Sequence, residues 1–349
     1  MRVLVTGGGG YLGSILVRRL LEANYQVRIL DNFLYGRESV EALSGNPRLD
    51  VVVGDIRDMR NLVTSLKDTD AVIHLASIVG DQAADLEPRT TIEINFMATR
   101  NLAELCQIYG VKRFLFASTC SVYGDEPQGV MKESLEPSEM PSKPRPISLY
   151  GETKLRSEEA IACLDLDFCI LRLATLFGQS PRMRFDLAVN LFAARAVNNQ
   201  DITVFGGQQY RPFLHVSDAA DAFLMCLEKN LKGVYNVALG NWKIIDVAQI
   251  VRQHFPVDIK VSDAIADRRN YQVSFEKFLR EGFAPRRSLD FAIDEIAHMF
   301  RTRIVTDYTL PKYSNYKHLF ESEEVQRRVY TMGPIGSPPA LSKKRPLFW

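Results

Sequence analysis

MRVLVTGGGGYLG, residues 1–13, decides how the rest of the chain is read. Arg2 to Thr6 are mostly aliphatic or β-branched and run straight into four glycines. Gly7, Gly10 and Gly13 stand three apart, and Tyr11-Leu12 opens an apolar-periodic stretch through Leu21. The pattern predicts a strand, a tight turn and a helix N-terminus. In such a unit the first glycine permits the turn and the second admits a pyrophosphate to the backbone. The third lets the helix lie close to the strand. The free N–H groups and positive dipole end of the helix then face the anion. A second strand, Gln26 to Leu30, ends at Asp31, about 20 residues on, where a carboxylate binds an adenosine ribose. A carboxylate there repels a 2′-phosphate, so the expected cofactor is NAD, with NADP disfavoured.

Outward from this unit, strand-like runs recur at Val51–Gly54, Ala71–Leu75 and Phe114–Ser118. Helical patterns alternate with them at Ser39–Ala42, Met59–Leu66 and Thr91–Tyr109. The alternation predicts an α/β fold, a Rossmann doubly wound parallel sheet covered on both faces. Phe168–Leu173 reads as a sixth strand and Gly233–Ala238 as a seventh. Residues 1–180 are therefore assigned to the dinucleotide-binding domain, with a returning strand near 233–238. Residues 181–310 carry shorter mixed elements and are assigned to a smaller, interleaved substrate lobe. Its helical stretches are expected near Leu187–Val197, Ser217–Leu227, Ile245–His254 and Asp290–Arg301. Residues 125–148 hold five prolines and few large apolar groups, and read as a long loop beside an active site. Residues 311–349 read as a C-terminal tail that wraps the surface, meets another subunit or stays disordered.

Bulk properties exclude several classes. The 349 residues are 46% hydrophobic and 24% charged, and the net charge of +1 points to no nucleic acid or charged membrane partner. The five cysteines show no metal-ligand spacing, so no metal site is expected, and a reducing, cytoplasmic setting is. The first apolar run is too short for a signal peptide, and no run of about 18 apolar residues predicts a membrane span.

Two further motifs carry chemistry. Tyr150 and Lys154 form a YxxxK pair at the start of a helical pattern, which sets phenol and ammonium on one face. A nearby cation lowers a phenol pKa and lets it exchange protons with a sugar or alcohol hydroxyl. Ser118-Thr119-Cys120-Ser121 follows the fifth strand, at the carboxyl end where open α/β sheets bind ligands. His74 and His215 lie in strand-like runs and read as packed, structural residues.

These motifs together resemble the extended short-chain dehydrogenase/reductase family, in its NAD-dependent nucleotide-sugar epimerase/dehydratase branch. The matching stretches are TGGGGYLG (6–13), Asp31-Asn32, Gly54-Asp55-Ile56, His74-Leu75-Ala76 and Asn95 in IEINFMAT. STCSVYG (118–124), YGETK (150–154), LRLATLFG (171–178) and YRPFLHVSDAADA (210–222) follow in family order. The resemblance implies that Gly7, Gly10, Tyr11, Leu12 and Gly13 hold the cofactor pyrophosphate, with Asp31 and Asn32 at the ribose and Asp55 and Ile56 at the adenine. Leu75, Ala76 and Ser77 line the cofactor cleft, and Asn95 supports it. Tyr150 becomes the base, Lys154 its partner and Thr119 the supporting hydroxyl. Thr175, Phe205, Arg211 and Arg268 or Arg269 become contacts to a nucleoside-diphosphate sugar. Guanidinium binds phosphate bidentately, which accounts for arginine at those places. A homodimer through the helices carrying Thr91–Tyr109 and Tyr150–Ala162 is also implied.

Departures narrow the reaction. The related 4,6-dehydratases carry Thr-Asp-Glu before their VYG, whereas Cys120 and Ser121 stand here, so the acid–base pair for that elimination is missing. Cys120 reads either as a second acid/base or as a small buried filler. Thr175 replaces an asparagine usual in the family, 4-epimerases included. Arg182 and Arg184 add cations beside the expected cleft, to grip a diphosphate or an acidic sugar, or else to lie in solvent. The leading reading is an NAD-dependent nucleotide-sugar epimerase/oxidoreductase working through a transient keto sugar. The alternatives are a 4-ketoreductase, a reductase of a non-sugar ketone and a non-catalytic dinucleotide-binding scaffold; the intact Thr119, Tyr150 and Lys154 argue against the last.

Overall fold

A computed structural model describes residues 1–133, 144–263 and 267–330. The strands of the central sheet are β1 (Arg2–Thr6), β2 (Gln26–Asp31), β3 (Leu49–Val53), β4 (Ala71–His74), β5 (Arg113–Thr119), β6 (Phe168–Leu173) and β7 (Gly233–Val237). Their order is β7-β6-β5-β4-β1-β2-β3, and every pairing is parallel. β4 and β5 are buried along their whole length, as expected of central strands covered on both faces. One apolar core, with helix Gly13–Glu22, lies on one face, and a second, with helices Met59–Leu66 and Ala98–Ile108, on the other. The strand order reverses between β1 and β4. Ligands of such sheets bind in the crevice at this switch point, beyond the strands' carboxyl ends.

A smaller lobe adds a three-stranded sheet, in which Tyr210–His215 lies between Thr175–Phe177 and Gly240–Lys243. Two more parallel pairs join Ile202–Phe205 to Ile259–Ser262 and Asp125–Met131 to Asn270–Val273.

Three expectations change. The proline-rich stretch is not wholly loop, because Asp125–Met131 finds a strand partner about 140 residues away. Only the folded chain supplies the acceptors for that ladder. Helix Val216–Glu228 belongs with the central sheet, since it packs on helix Gly13–Glu22 and joins it through an Arg19–Asp221 ion pair. Residues 311–330 are no tail. They form a helical turn and helices Asn315–Glu321 and Glu323–Tyr330, and Tyr316, Leu319, Val325 and Val329 enter the second core. Residues 331–349 of the expected tail, and 134–143 of the expected loop, lie outside the described residues.

His74 and His215 are packed. His74 sits between the Thr6 and Thr99 hydroxyls, at 2.6 and 2.8 Å, and burial, then Lys154, pushes its pKa down to about 3. His215 Nε2 lies 2.8 Å from Glu295. Among the described residues, no helix is long and apolar enough to cross a membrane.

Candidate active site

The crevice opens into a cavity of about 1200 Å³. A single small-molecule pocket spans roughly 300–1,000 Å³, so this one is larger than that range.

Its first end is the glycine turn. Gly7 has φ +73°, and a Cβ there would stand 2.7 Å from Ala76 N, while a Cβ on Gly13 would stand 2.1 Å from Gly7 O. Both positions exclude a side chain, which lets helix Gly13–Glu22 start against β1 with its N–H groups toward the cavity. Tyr11 also lines this end, and its hydroxyl donates to Gly178 O at 2.6 Å. Asp31 lines this end. Its carboxylate accepts from Gly9 N and Phe33 N at 2.8 and 2.7 Å, and burial raises its pKa. Asn32 donates to Asp55, which Arg57 clamps at 3.0 and 2.9 Å. Gly10, Leu12, Ile56, Leu75, Ala76 and Ser77 complete the lining.

The middle of the cavity holds Thr119, Tyr150 and Lys154. Thr119 ends β5, and Ser148 caps the helix Leu149–Ala162 that carries the other two. The Thr119 hydroxyl is among the neighbours that favour the ionised Tyr150 phenol. Ser118 does not compete, because its hydroxyl bonds to buried Glu158. Lys154 Nζ donates to Ala117 O at 2.9 Å and stands 4.8 Å from the centre of the Phe116 ring. Burial, followed by the charge of Asp81, pushes the Tyr150 phenol up. Burial also pushes the Lys154 ammonium down to about 7.

That shift has a sign that stability measurements read. Between about pH 7 and the ordinary lysine value of 10.5, the unfolded chain holds the Lys154 proton and the folded chain does not. Stability therefore rises with pH across this window. One such proton is worth at most about 1.4 kcal/mol per pH unit. Urea unfolding of the ligand-free chain at pH 7, 8 and 9 is expected to show that slope, reduced by up to this amount in Lys154→Met. Equal slopes in the two chains refute the buried, easily neutralised lysine.

The far end is a charge cluster. Asp267 joins Arg269 at 2.6 Å and Arg211 at 2.8 Å. Arg269 also reaches Asp81 at 3.2 Å and donates to Ser121 Oγ at 3.0 Å. Burial alone would raise the Asp267 carboxyl, yet Arg269 and then Arg211 hold it well below the usual carboxylate range. Thr175, Arg268 and Tyr271 line the same end.

Three expected site residues lie off the cavity wall. Cys120 is 1% exposed and donates to Arg172 O at 3.2 Å; burial raises its thiol pKa. The turn Cys120–Tyr123 points Ser121 into the cavity instead. Phe205 sits on a two-stranded pair of the smaller lobe, where the alternation buries Ile202 and Val204 and turns Phe205 the other way. Asn95 acts at one remove: it accepts from Ile78 N and donates to Ile78 O, which braces the loop after β4. The helical run widens to a π-turn at Glu93–Met97, and Asn95 O there accepts hydroxyls from Thr99 and Ser157.

Sequence reading missed Tyr35, Asp81, Asp267, Tyr271, Tyr308, Thr309 and the stretch Tyr313–Lys317, all of which line the cavity. Asp267 had a signal, since it adjoins Arg268 and Arg269. The others carry no local pattern. Arg182 and Arg184 are buried rather than solvated, and Arg182 lies at the glycine-turn end, with its guanidinium 4.0 Å from the centre of the Tyr35 ring.

Comparison with known proteins gives the same picture. A family model described as NAD dependent epimerase/dehydratase family matches residues 3–238. UDP-glucuronic acid decarboxylase 1 of Arabidopsis thaliana is 30% identical over 322 residues, which span 88% of this chain and 71% of the relative. The structure of UDP-glucose 4-epimerase from Thermus thermophilus, in complex with NAD, superposes with a TM-score of 0.74 at 28% identity. It covers 86% of this chain and 99% of its own. UDP-glucuronic acid 4-epimerase from Bacillus cereus, with UDP-glucuronic acid and NAD, gives a TM-score of 0.75 at 26% identity, over 87% of this chain and 100% of its own.

Proposed function

The chain belongs to the NAD dependent epimerase/dehydratase family, and from that premise we propose that it is an NAD-dependent nucleotide-sugar 4-epimerase working through a transient keto sugar. The observation that carries this reading is the order of groups along one cavity: glycine turn and Asp31, then Thr119, Tyr150 and Lys154, then Arg211 and Arg269. The first group fits a dinucleotide, because Gly7 and Gly13 leave no space for a Cβ and the buried Tyr35 hydroxyl at that end has no hydrogen-bond partner among the described residues. NAD, when bound, supplies a hydride acceptor and donor and a positive charge. The arginines of the far end suit the diphosphate of a UDP-sugar, the ligand class of the B. cereus relative.

In this reading Tyr150 takes the proton from the sugar 4-hydroxyl and later returns one to the same oxygen. Thr119 holds that oxygen by hydrogen bonding. Lys154, on the same helix face, stabilises the ionised phenol when charged. No carboxylate stands at 120 or 121, and Ser121 Oγ is taken by Arg269, so the elimination typical of 4,6-dehydratases lacks its acid–base pair here. We infer in addition a homodimer through the helices at 88–108 and 149–162, the first of which exposes Ile92, Met97 and Ile108.

The purified chain is expected to release NAD on denaturation and to convert a UDP-hexose to its 4-epimer without net NADH. Accumulation of NADH or of carbon dioxide from a UDP-uronate, or no conversion by an NAD-loaded chain, overturns the epimerase assignment.

A further inference from the structure

Residues 311–330 lie outside the family match at 3–238, yet they meet the cleft from several sides. Buried Asn315 is the junction. Its Nδ2 donates to Val79 O at 3.1 Å, on the loop after β4. Its Oδ1 accepts from Arg182 Nη2 at 2.7 Å, and its backbone N donates to Asp186 Oδ2 at 2.8 Å. One residue thus bridges a loop of the central sheet and a loop of the smaller lobe. Nearby, His318 Nε2 lies 2.8 Å from Leu34 O, after β2, and its ring centre 5.2 Å from that of Tyr35. Phe185 N donates to Tyr313 O at 2.8 Å, and Arg57 Nη1 to Val329 O at 2.8 Å. Ser314, Asn315, Tyr316 and Lys317 share the cavity wall with the glycine turn.

This fastening holds Arg182 against the same end. Arg182 is 7% exposed, stacks on Tyr35 and feels the charge of Asp31. Its buried Nε has no hydrogen-bond partner among the described residues. A buried donor without an acceptor is unfavourable, so a ligand that supplies one is bound with advantage. A guanidinium facing the end that carries a helix N-terminus suits an anion.

We propose that residues 311–330 form a clasp over the glycine-turn end of the cleft, with Arg182, held by Asn315, as a contact to the phosphates of the bound dinucleotide. The proposal rests on the cofactor reading above. With the clasp closed, the dinucleotide leaves only when the Asn315 bridge opens, so one molecule serves many turnovers.

The test is release of NAD from the full chain, read by exchange against labelled NAD in the wild type, Asn315→Ala and Arg182→Gln. Both variants, folded by circular dichroism, are expected to release NAD roughly tenfold faster or more. Loss of the bridge can also disturb the fold, so hydrogen exchange on the wild type gives a second reading. Amides of residues 313–320 are expected to exchange roughly tenfold more slowly with NAD bound. Unchanged release from folded variants, or unchanged exchange on NAD binding, overturns the clasp. A wild type that takes up no NAD overturns the cofactor reading and the clasp with it, and uptake by the wild type separates the two failures.

Discussion

Replacing Tyr150 by Phe is expected to lower turnover by about 10²–10⁴-fold, the range supplied by a positioned acid–base group. Bound NAD should be retained, because the glycine turn and Asp31 at one end of the cavity are untouched by the change. The substitution removes one oxygen and leaves the ring, so the helix and its packing stay intact. Thr119 cannot replace the phenol. Its Oγ1 already accepts from Ser121 N at 3.1 Å, and an aliphatic hydroxyl is far too weak an acid to share the task. The measurement pairs kcat with the NAD content of the purified variant. Near wild-type turnover with full NAD occupancy would remove Tyr150 from the mechanism. Lost turnover together with lost NAD would instead mean that the change had disturbed the cofactor end.

The second large effect concerns stability. Glu158→Gln is expected to destabilise the chain by about 3–5 kcal/mol. Glu158 and Arg172 are both fully buried, with Arg172 Nη2 2.6 Å and Nε 3.1 Å from the carboxylate. Arg172 Nη1 also donates to the Tyr123 hydroxyl at 2.9 Å, and Ser118 bonds to Glu158. Two desolvated charges in this geometry balance each other. Removing one leaves the other charge in the interior without the carboxylate that faced it. Guanidinium unfolding, with the slope checked for two-state behaviour, reads the loss. A change below about 1 kcal/mol would show that water or a rearranged side chain compensates, and that the pair is not what ties β5 and β6 to helix Leu149–Ala162.

The two effects separate what was legible in the chain from what was not. The parallel sheet was legible because its signals are local. Each central strand is a short apolar run, each connecting helix has its own periodicity, and the glycine turn between β1 and its helix needs only neighbours in sequence. The Tyr150–Lys154 pair was legible for the same reason, since one helical turn sets their spacing. Local pattern failed where a residue's role depends on what faces it. Cys120 and Ser121 are adjacent, and only the turn after β5 decides that the thiol meets Arg172 O while the serine enters the cavity. Phe205 matched a motif, but strand alternation turned it from the site.

The sequence by itself therefore determined the sheet, the cofactor end and the proton-transfer pair, because short-range stereochemistry dictates them. Tertiary structure alone decided the charge cluster of Asp81, Asp267 and Arg269 and the bridge of Asn315 to Val79 and Arg182. Those partners are separated by about 130 to 240 residues, Asp267 and Arg269 excepted. Ion pairs and hydrogen bonds act over a few ångströms of space, and no periodicity along a chain records which distant segments the packed cores bring that close.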